Sequence, residues 1–380
     1  SLPTRPEPLD IIRGLAAGAD NYVTKPYEPD YLLGRISSLL ETPLSAEEVN
    51  GPTIDVAIAG QTFKVKAGRQ QVLNLLVSTF ENAVAKNQEL IQTNQDLATA
   101  KERLERNNQE LKDLNDKIAA ANDQMNRDLE AAARVQRSLL PAEEQLTFDC
   151  GDVAWRYVPC YGLAGDFLNV FKLDDEHLGL FVVDVSGHGV PSSLLSVTVG
   201  RFLTPKASDS SVLVRPGENG EVLVVPPVEV ATELNRQFQA EDFSELYFTF
   251  VYCLVNTKTG QVRYTASGHP PLLRLTAAGE AIFQTLHSLP IGFFPEAEYE
   301  EQTLQLESGD RLFLYSDGVT EAMDKDLQQF GDDALKEIVT LQRSRSLDAG
   351  VSELLEAIQA WCQPKGPLDD VSILGFEWKG

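Results

Sequence analysis

The chain has little of what several protein classes require. Its four cysteines, Cys150, Cys160, Cys253 and Cys362, are scattered and form no C-x-x-C pair. A disulfide framework and a cysteine zinc site are therefore not expected, and reduced cytosolic thiols are. Basic residues are scarce, with 32 Lys and Arg against 57 Asp and Glu, a net charge of −25. Such a balance argues against nucleic acid or an anionic membrane as the main partner. The longest apolar run, around residues 178–183, is far too short to span a bilayer. No charged-then-apolar leader opens the chain, so the expectation is a cytoplasmic protein without a signal peptide. No P-loop and no H-C-x5-R pattern occurs. What is present is ample for a core: 380 residues, 43% of them hydrophobic, exclude global disorder and leave room for two or three domains.

Four acidic stations, far apart in the chain, lie beside apolar runs. They are Gly165-Asp166-Phe167, Asp184-Val-Ser-Gly-His-Gly189, Ser316-Asp317-Gly318 and Asp369-Asp370. Residues 178–183 run into Asp184, residues 311–315 run into Asp317, and Asp369-Asp370 opens residues 371–374. Carboxylates at strand ends converge when the strands share a sheet. Such a cluster repels itself unless a divalent metal neutralises it, and oxygen-only ligands suit Mg²⁺ or Mn²⁺. Taken singly each station is weak, since Asp-Gly is a common turn. Further strands are predicted over residues 247–255 and 261–266, joined as a hairpin, and helices over 227–238, 334–341 and 351–362. Residues 206–220, rich in Ser, Asp and Gly, read as a surface loop.

From residue 70 to 140 there is neither glycine nor proline, and the apolar period becomes seven. Leu76, Ala83, Leu90, Leu97, Leu104, Leu111, Ile118, Met125, Ala132 and Leu139 share one heptad position. Asn87, Asn94, Asn108, Asn115 and Asn122 recur at another, four residues later. Apolar d positions with asparagine at a predict a parallel two-stranded coiled coil, hence a homodimer, whose register the asparagines set at a cost in stability. The alternative is a lone amphipathic helix. Residues 53–66 predict a small β-hairpin, and residues 30–40 a helix opened by Asp30.

Two resemblances organise these pieces. Gly18-Ala-Asp-Asn-Tyr-Val-Thr-Lys-Pro-Tyr27 resembles the end of a response-regulator receiver domain, which implies phosphoryl contact for Lys25 and an upstream histidine kinase acting on a full receiver. The earlier strands and the phospho-acceptor aspartate of a receiver are missing. The ordered set Ala164-Gly-Asp166, Asp184-Val-Ser-Gly-His-Gly-Val-Pro191, Ala266-Ser-Gly-His-Pro-Pro-Leu272, Leu289-Pro-Ile-Gly292, residues 309–321 and Asp369-Asp-Val-Ser-Ile373 resembles the PPM metal-dependent serine/threonine phosphatases of the SpoIIE/RsbU-like branch. Residues 132–141 resemble the helix that leads into that catalytic domain.

The resemblance implies an α+β fold: a PPM-type α/β sandwich of two antiparallel sheets flanked by helices, joined by the coiled coil to a partial α/β receiver segment. The expected domains are residues 1–45 (receiver part), 46–69 (hairpin linker), 70–140 (coiled coil) and 141–380 (phosphatase). It implies two Mn²⁺ or Mg²⁺ ions, roughly 3.5–4 Å apart, that generate hydroxide for direct attack on phosphoserine or phosphothreonine. Asp184 is expected to bridge them, with the Val185 carbonyl as a further ligand, Asp317 and Asp369 to complete one, and Asp166 to serve the other. Asp370 belongs to the same set, in a supporting place. Asn169 stands where the family has a second acid, which either weakens metal binding or braces the loop. His188 is a candidate general acid or a loop residue, and His269 reads as a turn residue. The implied substrate is a phosphorylated STAS-type anti-anti-sigma protein. The competing reading is a pseudophosphatase scaffold that binds a partner without chemistry.

Overall fold

The computed structural model describes residues 13, 14, 17, 19, 22, 23, 27, 29–41, 53–58, 61–66 and 69–380, except 143, 161, 209, 218–220 and 244. Contacts divide the chain into two compact units, Ser1–Ile118 and Ala119–Gly380. Lys25 and most of its neighbours lie outside the described residues.

In the first unit, helix α1 (Pro29–Glu41) starts on a proline with Asp30 in its first turn. Proline has the φ a first turn needs, and an acid there meets the positive end of the helix dipole. Strands β1 (Thr53–Ile58) and β2 (Gln61–Lys66) form the predicted antiparallel hairpin, Ile58 opposite Gln61. Tyr31 Oη lies 3.5 Å from Ser78 Oγ, whose hydroxyl donates to the Tyr22 carbonyl at 3.3 Å. Arg35 pairs with Glu81.

Helix α2 (Arg69–Arg137) runs for 69 residues. Freedom from glycine and proline permits that length. Gln92, Gln109 and Gln124 each donate to an aspartate one turn on, at 3.0, 2.7 and 2.9 Å, a spacing that supports an exposed helix. The heptad leucines lie bare on it: Leu90, Leu97, Leu104, Leu111 and Ile118 are all exposed.

The second unit is an antiparallel sandwich. One sheet has the order β13-β10-β9-β6-β5 and the other β12-β11-β14-β15-β4-β3. The strands are β3 (Gln145–Phe148), β4 (Gly151–Val158), β5 (Phe167–Lys172), β6 (His177–Val185), β9 (Phe248–Asn256), β10 (Gln261–Ser267), β11 (Leu272–Leu275), β12 (Ala281–Gln284), β13 (Gln302–Gln305), β14 (Arg311–Tyr315) and β15 (Val371–Trp378). Helices α3 (Val190–Phe202), α4 (Pro227–Gln237), α5 (Asp317–Thr320), α6 (Gly331–Leu341) and α7 (Leu347–Trp361) complete it.

The period-two alternation of strand side chains decides which core each residue enters. On β14, Leu312 and Leu314 join the inter-sheet core with Leu374 and Phe376 of β15. Their alternates Phe313, Tyr315 and Ile373 turn outward against Leu335 and Val339 of α6 and Val351, Leu354 and Ile358 of α7. At roughly 1.5–3 kcal/mol for each fully buried large apolar side chain, the first layer joins the two sheets and the second fixes α6 and α7 to one of them. One expectation is corrected within residues 206–220. That stretch contains β7 (Val214–Pro216), paired with β8 (Val222–Val224), and Val212, Leu213 and Val214 are buried. Three adjacent apolar residues outweigh the polar composition around them.

Candidate metal centre

Antiparallel pairing brings the acidic stations together. The start of β5 lies against the end of β6, with Phe167 opposite Val183, so Asp166 and Asp184 share one end of that pair. The end of β14 meets the start of β15, Tyr315 opposite Ile373, which gathers Asp317, Asp369 and Asp370. Serine hydroxyls tie the second pair: Ser316 Oγ donates to the Asp370 carbonyl at 3.2 Å and accepts from Ser372 N–H at 3.0 Å. Gly318 is packed so tightly on the Asp370 carbonyl that a Cβ there would collide with it. A Cβ on Gly165 would likewise stand 2.8 Å from the Val185 carbonyl. Close backbone approach thus sets both spacings.

The electrostatics are those of acids crowded against acids. Burial, then Asp317 and Asp369, pushes Asp184 up to about 8, and it lies within hydrogen-bonding reach of Asp166. Burial, then Asp369 and Glu321, raises Asp317 to about 6. Asp166 is pushed well above the usual carboxylate range by burial, then by Asp184 and Asp370. Its Oδ2 is buried without a hydrogen-bond partner. Among the described residues no three acidic, histidine or cysteine side chains already stand close enough to grip an ion. Even so, an orphaned carboxylate oxygen amid mutually repelling acids fits a hard divalent cation, and every donor is oxygen.

The other candidates separate by geometry. Asp370 turns both oxygens to backbone amides, Oδ1 accepting from Cys160 N–H and Oδ2 from Gly165 N–H, each at 2.7 Å. It braces the loop that carries Asp166, and each of its oxygens keeps a second lone pair. Asn169 does the same further along: its amide donates to the Leu139 carbonyl at 2.6 Å and its oxygen accepts from Val170 N–H. His188 is exposed on the turn between β6 and α3. His269 is buried 2.6 Å from Thr249 Oγ1, and Thr249 sits opposite Asp184; burial holds the imidazole down to about 3, hence neutral. Asp174 turns back onto His177 Nδ1 at 2.9 Å in a surface turn. Two contributors had no role in the sequence reading. Glu321 acts on Asp317, and its only signal was its place at the end of the Asp317 motif. Gln136, in the run before Pro141, donates to the Ala164 carbonyl at 2.6 Å and accepts from Ala164 N–H at 3.2 Å.

A two-sheet antiparallel sandwich with acids gathered at one end is the PP2C-type fold. The SiaA-PP2C domain of Pseudomonas aeruginosa shares it at a TM-score of 0.56 and 18% identity, over 69% of this chain and 100% of that one. The chain belongs to the Stage II sporulation protein E (SpoIIE) family, whose profile matches residues 174–379. Among curated relatives, it is 27% identical to the phosphoserine phosphatase RsbP of Bacillus subtilis (strain 168) over 195 residues, 50% of this chain and 44% of RsbP. It is 29% identical to RsbU of the same organism over 198 residues, 51% of this chain and 53% of RsbU. The chain thus spans about half the length of these relatives. A stretch of 50 residues is 44% identical to the phosphate regulon transcriptional regulatory protein PhoB of Escherichia coli (strain K12), 13% of this chain and 22% of PhoB. Among the described residues, no helix is long and apolar enough to cross a membrane.

Proposed function

We propose that the chain is a metal-dependent protein serine/threonine phosphatase that hydrolyses phosphoserine or phosphothreonine on a regulatory protein. The observation that carries this reading is the buried, partnerless Asp166 Oδ2 facing raised carboxylates on a SpoIIE-family fold. Two Mn²⁺ or Mg²⁺ ions, when bound, supply an activated water and neutralise the phosphoryl oxygens. Asp184 would serve both ions, with the Val185 carbonyl as a further ligand, Asp317 and Asp369 would hold one, and Asp166 the other. Asp370 holds the Asp166 loop in place, and Asn169 ties β5 to the Leu139 carbonyl. His188, on the exposed turn, is assigned to the loop or to phosphate positioning, with proton donation to the leaving serine oxygen as the alternative. Tyr157, raised by burial and then by Asp166 and Asp370, stays protonated and points its hydroxyl at the Asp166 carbonyl, 3.4 Å away.

The finer reading follows from the relatives. Likeness to RsbP and RsbU supports a STAS-type anti-anti-sigma protein as substrate. The PhoB likeness over 50 residues supports a receiver part in this chain, and the reading adds residues 1–45 as its place, a histidine kinase as its input and the cytoplasm as its location. The bare heptad stripe on α2 supports a parallel homodimer over residues 70–140, with residues 46–69 as a hairpin spacer and 141–380 as the catalytic part. The test is turnover of a generic phosphate ester and of a phosphorylated STAS protein with Mn²⁺, Mg²⁺ or chelator, beside Asp184→Ala. Metal-dependent turnover is expected, falling at least about a thousand-fold in the variant as several kcal/mol of charge stabilisation disappear. Metal-independent turnover, or an unaffected variant, sinks the reading. Absence of turnover with either metal favours the binding scaffold.

A further inference from the structure

Beside the loop that carries Asp166, the second unit has a groove of about 440 Å³ that the acidic site does not use. The last turns of α2 form one wall, with Asn126, Leu129, Arg134 and Arg137, and Gly162 lies across from them. Gly162 stands between Cys160 and Gly165, whose N–H groups both donate to Asp370, so the groove reaches the acidic end. A Cβ at Gly162 would meet nothing within 4 Å, which leaves the space beside this loop open. From Asn126 to Arg137 the helix rises about 16 Å, the length of about five extended residues.

Elsewhere in this unit arginines meet acids: Arg156 pairs with Asp348, Arg263 with Glu301, Arg274 with Asp310 and Arg311 with Glu377. Arg134 and Arg137 are exposed, and among the described residues neither guanidinium has an ion pair or a hydrogen bond. Glu130 also lines the groove and pairs with neither. Two bare guanidinium groups against one carboxylate leave the groove positive on a chain of net charge −25. Three residues apart, they share one face of the helix. They occupy the f and b places of the heptad whose a and d places carry Asn122 and Met125, and these places face away from the seam. A partner helix along that seam leaves both uncovered. Arg137 also acts on the Tyr157 hydroxyl, opposing the upward push of burial, Asp166 and Asp370. It is thus within electrostatic reach of the acidic end.

We propose that this groove receives an acidic segment flanking the phosphoserine of the protein substrate, with Arg134 and Arg137 reading its carboxylates. The proposal rests on the phosphatase reading. A guanidinium suits a carboxylate because its planar fork makes two parallel hydrogen bonds. An acidic chain repels an acidic partner over most of its surface, so bare cations decide where that partner docks. A phosphoryl group alone is far smaller than the groove, whose length is that of a peptide.

The test gives the full chain, with Mn²⁺, two phosphoserine peptides of equal length. One has aspartates on both sides of the phosphoserine, the other asparagines. The readout is the ratio of their kcat/KM values, because a folding defect lowers both and leaves the ratio alone. The parent is expected to favour the acidic peptide about tenfold, and less so as salt rises. Arg134→Gln combined with Arg137→Gln should bring the ratio to within about twofold of one. Arg201→Gln with Lys206→Gln removes two exposed cations at the far end of α3 and beyond it, and should keep the parent's ratio. A parent without preference, a ratio that survives in the Arg134 and Arg137 variant, or one lost equally in both variants overturns the proposal. Should neither peptide turn over, the phosphatase reading fails on its own. The same ratio, taken from Kd values by fluorescence anisotropy, then still supports or refutes the groove.

Discussion

Strand β14 has an aspartate beside each end, and the fold treats the two in opposite ways. Asp310, just before the strand, is buried and accepts from Arg274 Nε at 3.0 Å and Nη2 at 2.5 Å, from Ala277 N–H at 2.7 Å and from Glu307 N–H at 3.0 Å. Asp317, just after it, faces Asp369, Glu321 and Asp184. Same residue type, same strand, six residues between them: one carboxylate is saturated with donors and the other is crowded by acids. Where a buried charge serves architecture, the chain completes its partners. Where partners are withheld, something from outside is expected to supply them.

The widest gap between the two ends should appear in stability. Asp310→Ala strands the Arg274 guanidinium and two backbone amides, and should cost about 3 kcal/mol or more in urea unfolding. Mn²⁺ affinity of the folded fraction should not change. A cost below about 1 kcal/mol would break the comparison at its structural end.

Next in size is the effect of pH on the metal-free chain. Asp184 at about 8 and Asp317 at about 6 sit above the unfolded carboxylate value near 4. Between those limits the native state holds protons that the unfolded state has released. Their contribution is therefore complete below pH ~4 and is lost as pH rises towards 8. Melting temperatures in chelator should fall across that range, and saturating Mn²⁺ should flatten the slope. A rise with pH in chelator would contradict the acidic end as described.

The smallest effect sharpens the contrast by sign. Asp317→Asn removes one of the mutually repelling acids and should stabilise the metal-free chain at pH 8 by about 1 kcal/mol, while destabilising it relative to the parent in excess Mn²⁺. Loss of stability in chelator would mean that the donation from Gly318 N–H to Asp317 outweighs the repulsion among the acids.

Much of this was legible in the sequence because strand ends are. The runs at 178–183, 311–315 and 371–374 each appear as a strand, and antiparallel pairing did the rest, since it must return each chain to the end its partner left. The helix over residues 227–237 and the hairpin joined near Gly260 follow from proline at the first turn and from a turn-forming tetrapeptide. Less legible was how each oxygen would be used. Asp369 and Asp370 are identical letters, yet one is exposed and the other is turned inward onto two amides. Gln136 gave no signal as a single residue, because its partner is a peptide unit and peptide units look alike in every sequence. Val212 to Val214 were hidden by the polar residues around them.

The packing of Gly318 on the Asp370 carbonyl bears on how such a site can change over generations. The Asp-Gly pair that reads as an ordinary turn is a gauge: it sets the gap between two chain segments that are 52 residues apart in sequence. Any other residue at 318 would wedge Asp317 away from Asp369 without touching either carboxylate. A lineage drifting towards a silent scaffold therefore has a route that leaves all four acids in place, and an intact set of acids does not by itself certify a working site. Position 318 is the one to read beside them.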